Sequence, residues 1–392
     1  MRKERKYNIL FTASLILFTL TIGIGIISPI LPVIAKSMGA GGIVIGLIFS
    51  AFSISRLTFL PVFGRLSDRY GRRIFILSGL LLYSFLAFLY AFARTPEELI
   101  AVRLFHGMSS AMVMPVILAM VAEFSPQGQE GRYMGLANRS IFLGMAFGPL
   151  IGGLVSDVFS ETHAFFAMSL ISALTLVIAF ITVPEHTSKR EKTSSRNGFS
   201  RNVVFALVYR LLNSIGRGSI MTFLPVYGYL IGLSYTQIGV LVFTNLLISG
   251  IIQPYGGAFS DRRGFVVPVF MSSVVSALIL YLIPYSPLFS VLLILSGVLG
   301  LTSAISLPAV SGLMAYEGKI SGNLGSIMGF FSASKSLGRA AGPLIAGLMY
   351  DLGGQGMDGI QLAFTGASLL TLLAGLLFLV GVRDSQQIVD VE

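Results

Sequence analysis

Twelve apolar runs of about 20 residues or more, parted by short polar breaks, leave this chain few ways to fold. A helical run of that length spans the ~30 Å hydrocarbon core of a bilayer, and in lipid only helices and closed barrels satisfy their own backbone. The runs lie near 8–34, 43–63, 74–93, 98–122, 133–156 and 163–183, then 203–230, 236–258, 265–284, 288–315, 325–350 and 360–381. With 54% hydrophobic and 11% charged residues and a mean hydropathy of +0.85, the chain has too little polar surface for a water-soluble domain. We expect an all-α polytopic membrane protein of twelve spans. The basic start, MRKERKY, leads into a first run too long for a signal peptide, so that run reads as an uncleaved span.

The formal charge of +10 has two physical readings, a nucleic-acid partner or membrane topology, and its distribution favours topology. Arg2, Lys3, Arg5, Lys6, Arg65, Arg69, Arg72, Arg73, Arg132, Arg262, Arg263 and Arg383 fall on one set of loops and ends, while the opposite loops hold only Lys36 and Arg94. Both termini are therefore expected in the cytoplasm, with the chain in the cell (inner) membrane and no nucleic acid as partner. Without cysteines, and with only His106, His163 and His186, no metal, cofactor or thiol chemistry is expected.

A hydrophilic stretch, 184–202, divides the chain into two expected six-helix bundles, 1–183 and 203–392. Shifting the sequence by 193 or 194 residues superposes Leu31-Pro32-Val33 on Leu224-Pro225-Val226, Gly64–Arg73 on a copy at Gly257–Gly264, and GPLIGG from Gly148 on GPLIAG from Gly342. Pro115 and Asp157 fall on Pro308 and Asp351. Matches at one offset and in one orientation point to duplicated, parallel halves.

The segment GRLSDRYGRR carries Gly64-x-x-x-Asp68-Arg69-x-Gly71-x-Arg73, with Arg72 also basic. This resembles the helix 2–3 signature of the major facilitator superfamily, and helix number, linker and duplication extend the resemblance over the whole chain, most closely to its drug:proton antiporter branch. The resemblance implies two pseudo-symmetric six-helix bundles and alternating access. It also implies a cytoplasmic gate, in which Gly64 and Gly71 permit a reversal, Asp68 meets a helix N-terminus and the arginines pair with Glu123 or Glu130. The second copy supplies Asp261 and Arg262 but has Phe265 and Val266 where the first has basic residues, so its latch is expected to be weaker.

Gly144, Gly148, Pro149, Gly152 and Gly153 are similar to the family's antiporter motif in helix 5. Read without the resemblance, the same spacing is a helix-packing stripe. Arg103 and His106 share a helix face and resemble the family's helix 4 motif, which implies proton coupling; alternatively Arg103 snorkels outward.

The sign of the intramembrane charge is unusual. Arg56, Arg103, Arg139, Arg210, Arg217, Lys335 and Arg339 lie within the apolar runs, while every Asp and Glu sits in a loop or at a run's end. Each buried cation costs about 2.5–3.5 kcal/mol on insertion scales, so it should face water, a partner or a ligand. Arg56, Arg139 and Arg210 lie near enough to the cytoplasmic end to snorkel. Arg210, Asn213 and Arg217 form a polar stripe on the seventh run; Ser332, Lys335, Ser336 and Arg339 form another on the eleventh.

Arg217, Lys335 and Arg339, with Asn213, Arg56 and Asn245, are the expected ligand contacts, suited to a carboxylate, phosphate or sulfate. The first run lacks the acid that many relatives protonate. Protons would then couple through His106 or Glu123, or a counter-anion would be exchanged. We expect a monomeric secondary transporter exporting a small or amphipathic organic anion, and no enzyme. Its rivals are a multidrug:proton antiporter, a lipid or lysolipid flippase with a lipid-like substrate, and a transport-inactive receptor or scaffold.

Overall fold

Glycine and proline punctuate the apolar runs, and the helix boundaries follow them. A computed structural model describes residues 2–125, 130–185 and 199–383, excluding the side chains of 2–9, 130–132, 261 and 324–325. Among these residues regular structure is helical: α1 (Arg2–Ser37), α2 (Gly42–Tyr70), α3 (Arg72–Leu89), α4 (Pro96–Phe124), α5 (Glu130–Val158), α6 (Glu161–Thr182), α7 (Arg201–Leu230), α8 (Tyr235–Arg263), α9 (Val266–Leu282), α10 (Phe289–Ile320), α11 (Leu324–Leu352) and α12 (Met357–Gly381). Most of the basic linker lies outside the described residues, as does the Glu130 side chain.

Several helices overrun the apolar runs because their polar ends reach headgroup depth, where hydropathy falls but backbone bonding continues. Most of GRLSDRYGRR is therefore helical. The reversal is made by Gly71 alone, at φ 98°, a conformation open to glycine; Gly64 lies inside α2 with open space around it. Gly264 makes the equivalent break before α9 at φ 85°, and Gly39 and Gly232 form a second pair at φ 82° and 81°. The mid-helix prolines repeat likewise, as Pro32/Pro225, Pro61/Pro254, Pro115/Pro308 and Pro149/Pro343.

Two compact units emerge, one of residues 1–40, 51–192 and 233–243, the other of 41–50, 193–232 and 244–392. In the first, α1 lies along α5, where small side chains let the backbones approach: a Cβ added at Gly148 would stand 2.5 Å from the Ile22 carbonyl oxygen, and one at Gly152 2.6 Å from that of Ile26. α4 begins with a capping box, in which the Thr95 hydroxyl accepts from Glu98 N at 3.3 Å while the Glu98 carboxylate accepts from Thr95 N. The second unit repeats the arrangement, with Gly338 of α11 against the Leu211 carbonyl of α7. Its apolar core gathers Tyr209, Phe265, Val269, Leu313, Phe331 and Phe378.

Each unit also closes a helix start with an aspartate. In the first, Asp157 accepts from Tyr235 N at 3.0 Å and Thr236 N at 2.7 Å. In the second, Asp351 accepts from Gly42 N at 2.6 Å and Ile43 N at 2.9 Å. A carboxylate there meets both the unpaired N–H groups and the positive end of the helix dipole.

Ten of the helices are long and apolar enough to cross a membrane. The two outside that set are α7 and α11, which carry Arg210, Asn213 and Arg217, and Lys335 and Arg339.

Candidate functional site

Those two helices build a cationic cluster in the second unit. α7 holds Arg210, Asn213 and Arg217 on one face, seven residues or about 10 Å end to end. Arg210 and Asn213 are buried, and Arg217 is half-buried. The Arg217 guanidinium donates to Ser303 Oγ on α10, whose own hydroxyl donates to the Leu299 carbonyl at 2.8 Å. Arg210 lies 4.9 Å above the Phe331 ring of α11. Arg339 is within Coulomb reach of both arginines.

Arg339 is exposed although it sits midway along α11, about 20 Å from either end. Exposure to lipid at that depth would cost about 2.5–3.5 kcal/mol, which argues that Arg339 faces polar surroundings and not lipid. Arg210 Nε and Asn213 Oδ1 are buried with no hydrogen-bond partner among the described residues. A native interior tolerates few such atoms. Arg210 Nε is a donor in a guanidinium that pairs with no carboxylate among the described residues, which fits an anion-binding surface, whereas Asn213 Oδ1 is an acceptor and calls for a donor such as a hydroxyl.

Of the six residues expected to bind ligand, Asn213, Arg217, Lys335 and Arg339 therefore share the two helices of the cluster. Asn245 instead donates its amide to the Ser296 carbonyl at 3.1 Å, tying α8 to α10. Arg56 belongs to the first unit, where its guanidinium reaches the Met114 sulfur at 3.0 Å. Ser303 and Phe331, which hold the arginines, escaped the sequence reading because neither carries charge.

In the first unit Arg103 and His106 are both buried. Arg103 lies 4.7 Å above the Phe52 ring, so it is packed inward and does not snorkel. The Tyr90 hydroxyl is 2.9 Å from His106 Nδ1, and Tyr83 meets the imidazole edge-on at 4.4 Å. His106 Nε2 is buried without a hydrogen-bond partner among the described residues.

At the helix 2–3 signature, buried Arg72 donates to Glu123 Oε1 at 3.1 Å, and its other amino group approaches Oε2 at 2.8 Å without hydrogen-bond alignment. Asp68 stands 3.6 Å from the same guanidinium. Arg73 donates to the Phe180 carbonyl at 2.7 Å. Arg69 and Arg262 are exposed, and the Asp261 side chain lies outside the described residues. The counterpart of Glu123 at the repeat offset is Glu317, which accepts from Ser200 Oγ and Asn202 Nδ2, both at 2.7 Å. That offset was a signal able to find it. In the helix 5 motif, Gly144, Gly148 and Gly152 face α1, while Gly153 faces the Tyr235 carbonyl and the Pro149 carbonyl faces Gly239.

The family model described as Major Facilitator Superfamily matches residues 13–234 and 206–389. The chain is 27% identical to an uncharacterized MFS-type transporter, MJ1560, of Methanocaldococcus jannaschii, over 86% of this chain and 89% of that protein. It is also 27% identical to multidrug resistance protein 1 of Bacillus subtilis, over 88% and 91% of the two chains. In fold it is similar to a bacterial homologue of the human lysosomal transporter Spinster, with a TM-score of 0.82 and 12% identity over 96% of this chain and 97% of that one.

Proposed function

The chain belongs to the major facilitator superfamily, and from that premise we propose that this integral membrane transporter exports a small or amphipathic organic anion by alternating access. The observation that carries the reading is the cluster of Arg210, Arg217 and Arg339, three guanidiniums on membrane-embedded helices with no carboxylate paired to them among the described residues. A guanidinium stays charged at any working pH, and an anion that bonds it offsets the cost of burying its charge. Arg217, Lys335 and Arg339 hold the ligand, with Asn213 offering one end of its amide. Arg103 and His106, braced by Tyr90, couple transport to protons; exchange against a second anion is the other route. The Arg72–Glu123 pair with Asp68 serves as a cytoplasmic gate, both termini face the cytoplasm, and the protein works as a monomer.

The test is uptake of a panel of organic anions into vesicles reconstituted with purified protein. Arg217→Ala and Lys335→Ala should each lower uptake at least about tenfold. Unchanged uptake of every anion in both variants removes the clamp.

A second reading, multidrug:proton antiport, draws on the similarity to multidrug resistance protein 1 of Bacillus subtilis. It calls for drug resistance in a host cell that disappears when the proton gradient is dissipated, and for a site indifferent to Arg217.

A further inference from the structure

Resting on the anion reading above, we propose that the ligand of the α7–α11 cluster carries two negative charges within about 10 Å of each other. Arg210 and Arg217 stand at the two ends of the α7 stripe, and α11 packs beside it at Arg339, whose Cα would lie 3.7 Å from a Cβ added at Gly218, next to Arg217. The groups that hold these arginines are neutral: Ser303 Oγ for Arg217 and the Phe331 ring for Arg210.

Two acids of the same unit are engaged elsewhere. Glu317 takes Ser200 and Asn202, and Asp351 takes the start of α2. Among the described residues, three permanently charged guanidiniums thus stand together with no carboxylate paired to them.

A monoanion docked there satisfies one guanidinium and leaves two repelling each other in a part-dry environment, where Coulomb terms are strong. A ligand with two charges neutralises a second guanidinium. The third guanidinium and Lys335 keep the site attractive to the next anion. Two chemistries share this property: a chain with a carboxylate at each end, and a single phosphate monoester head.

The experiment uses the full chain, purified in neutral detergent, at constant ionic strength and about pH 8, where a phosphate monoester holds both charges. The thermal unfolding midpoint is titrated with heptanoate, heptanedioate, hexyl phosphate and hexyltrimethylammonium. At least one dianion should raise the midpoint at a concentration about tenfold or more below that needed for heptanoate. A preference for heptanedioate assigns the charges to two ends of the ligand, and one for hexyl phosphate assigns them to one head; either supports the proposal.

Equal potency of heptanoate and the dianions overturns the charge count while leaving the anion site standing. Stabilisation by hexyltrimethylammonium alone overturns the anion reading beneath it, and no shift with either dianion overturns the proposal. In Arg339→Gln, whose own unfolding transition reports that it is folded, the dianion-to-monoanion ratio should shrink. An unchanged ratio overturns the assignment of the second charge to this cluster.

Discussion

Asp157 and Asp351, 194 residues apart in the chain, do the same work in the two compact units. Each ends its own helix and accepts two backbone N–H groups, at 2.6–3.0 Å, from the first turn of another. Glycines make the approach possible: Gly153 faces the Tyr235 carbonyl, and Gly42 and Gly347 face one another's.

Asp157→Asn and Asp351→Asn each keep one acceptor oxygen but lose the charge that meets the helix dipole. Each should destabilise its unit by about 0.5–2 kcal/mol, read as a lower thermal unfolding midpoint in detergent. Equal midpoints for variants and parent protein would show that backbone packing, not the carboxylates, holds these helix starts.

Arg72 is buried and Glu123 is its strongest partner. Glu123→Gln should cost about 1–3 kcal/mol, less than a fully buried pair because the Glu123 side chain is 30% exposed and solvent screens it. A double-mutant cycle with Arg72→Gln should show coupling of at least about 0.5 kcal/mol; strict additivity would mean the pair contributes nothing.

Ser303 fixes the Arg217 guanidinium without carrying charge. Ser303→Ala should weaken anion binding about fivefold to tenfold, the net worth of one ordinary hydrogen bond, since Ser303 acts by positioning Arg217. The loss should appear in KM, with the maximal rate largely retained. A fall in rate with KM unchanged would mean that Ser303 acts on the conformational step instead.

Tyr90 is the hydrogen-bond partner of His106 Nδ1. If this pair carries protons, Tyr90→Phe should alter the pH profile of uptake, and His106→Gln should flatten it. Profiles that superpose on that of the parent, in variants that still transport, would assign coupling to another group.

Hydropathy made the twelve helices legible, because a 20-residue apolar run admits few structures besides a span. It set their ends short, since it stops at the headgroups while α2 continues to Tyr70. Gly64 shows a related limit: a glycine in a polar segment looks like part of a turn, but only Gly71 takes a positive φ. The cationic stripes on α7 and α11 were visible as spacing, whereas the hydrogen bond from the Asn245 amide to the Ser296 carbonyl was not.

By itself, then, the sequence determined the class of the fold, its duplication and the excess of intramembrane positive charge. These are properties of composition and period, and they survive any detail of packing. Tertiary structure decided which polar atoms are already spent. A hydrogen bond such as Arg217 to Ser303, 86 residues apart, or a helix start closed by an aspartate some 300 residues away, depends on distances that no local pattern encodes. The same geometry left Arg210 Nε and Asn213 Oδ1 buried without hydrogen-bond partners among the described residues. It thereby separated a candidate site from a list of charged residues.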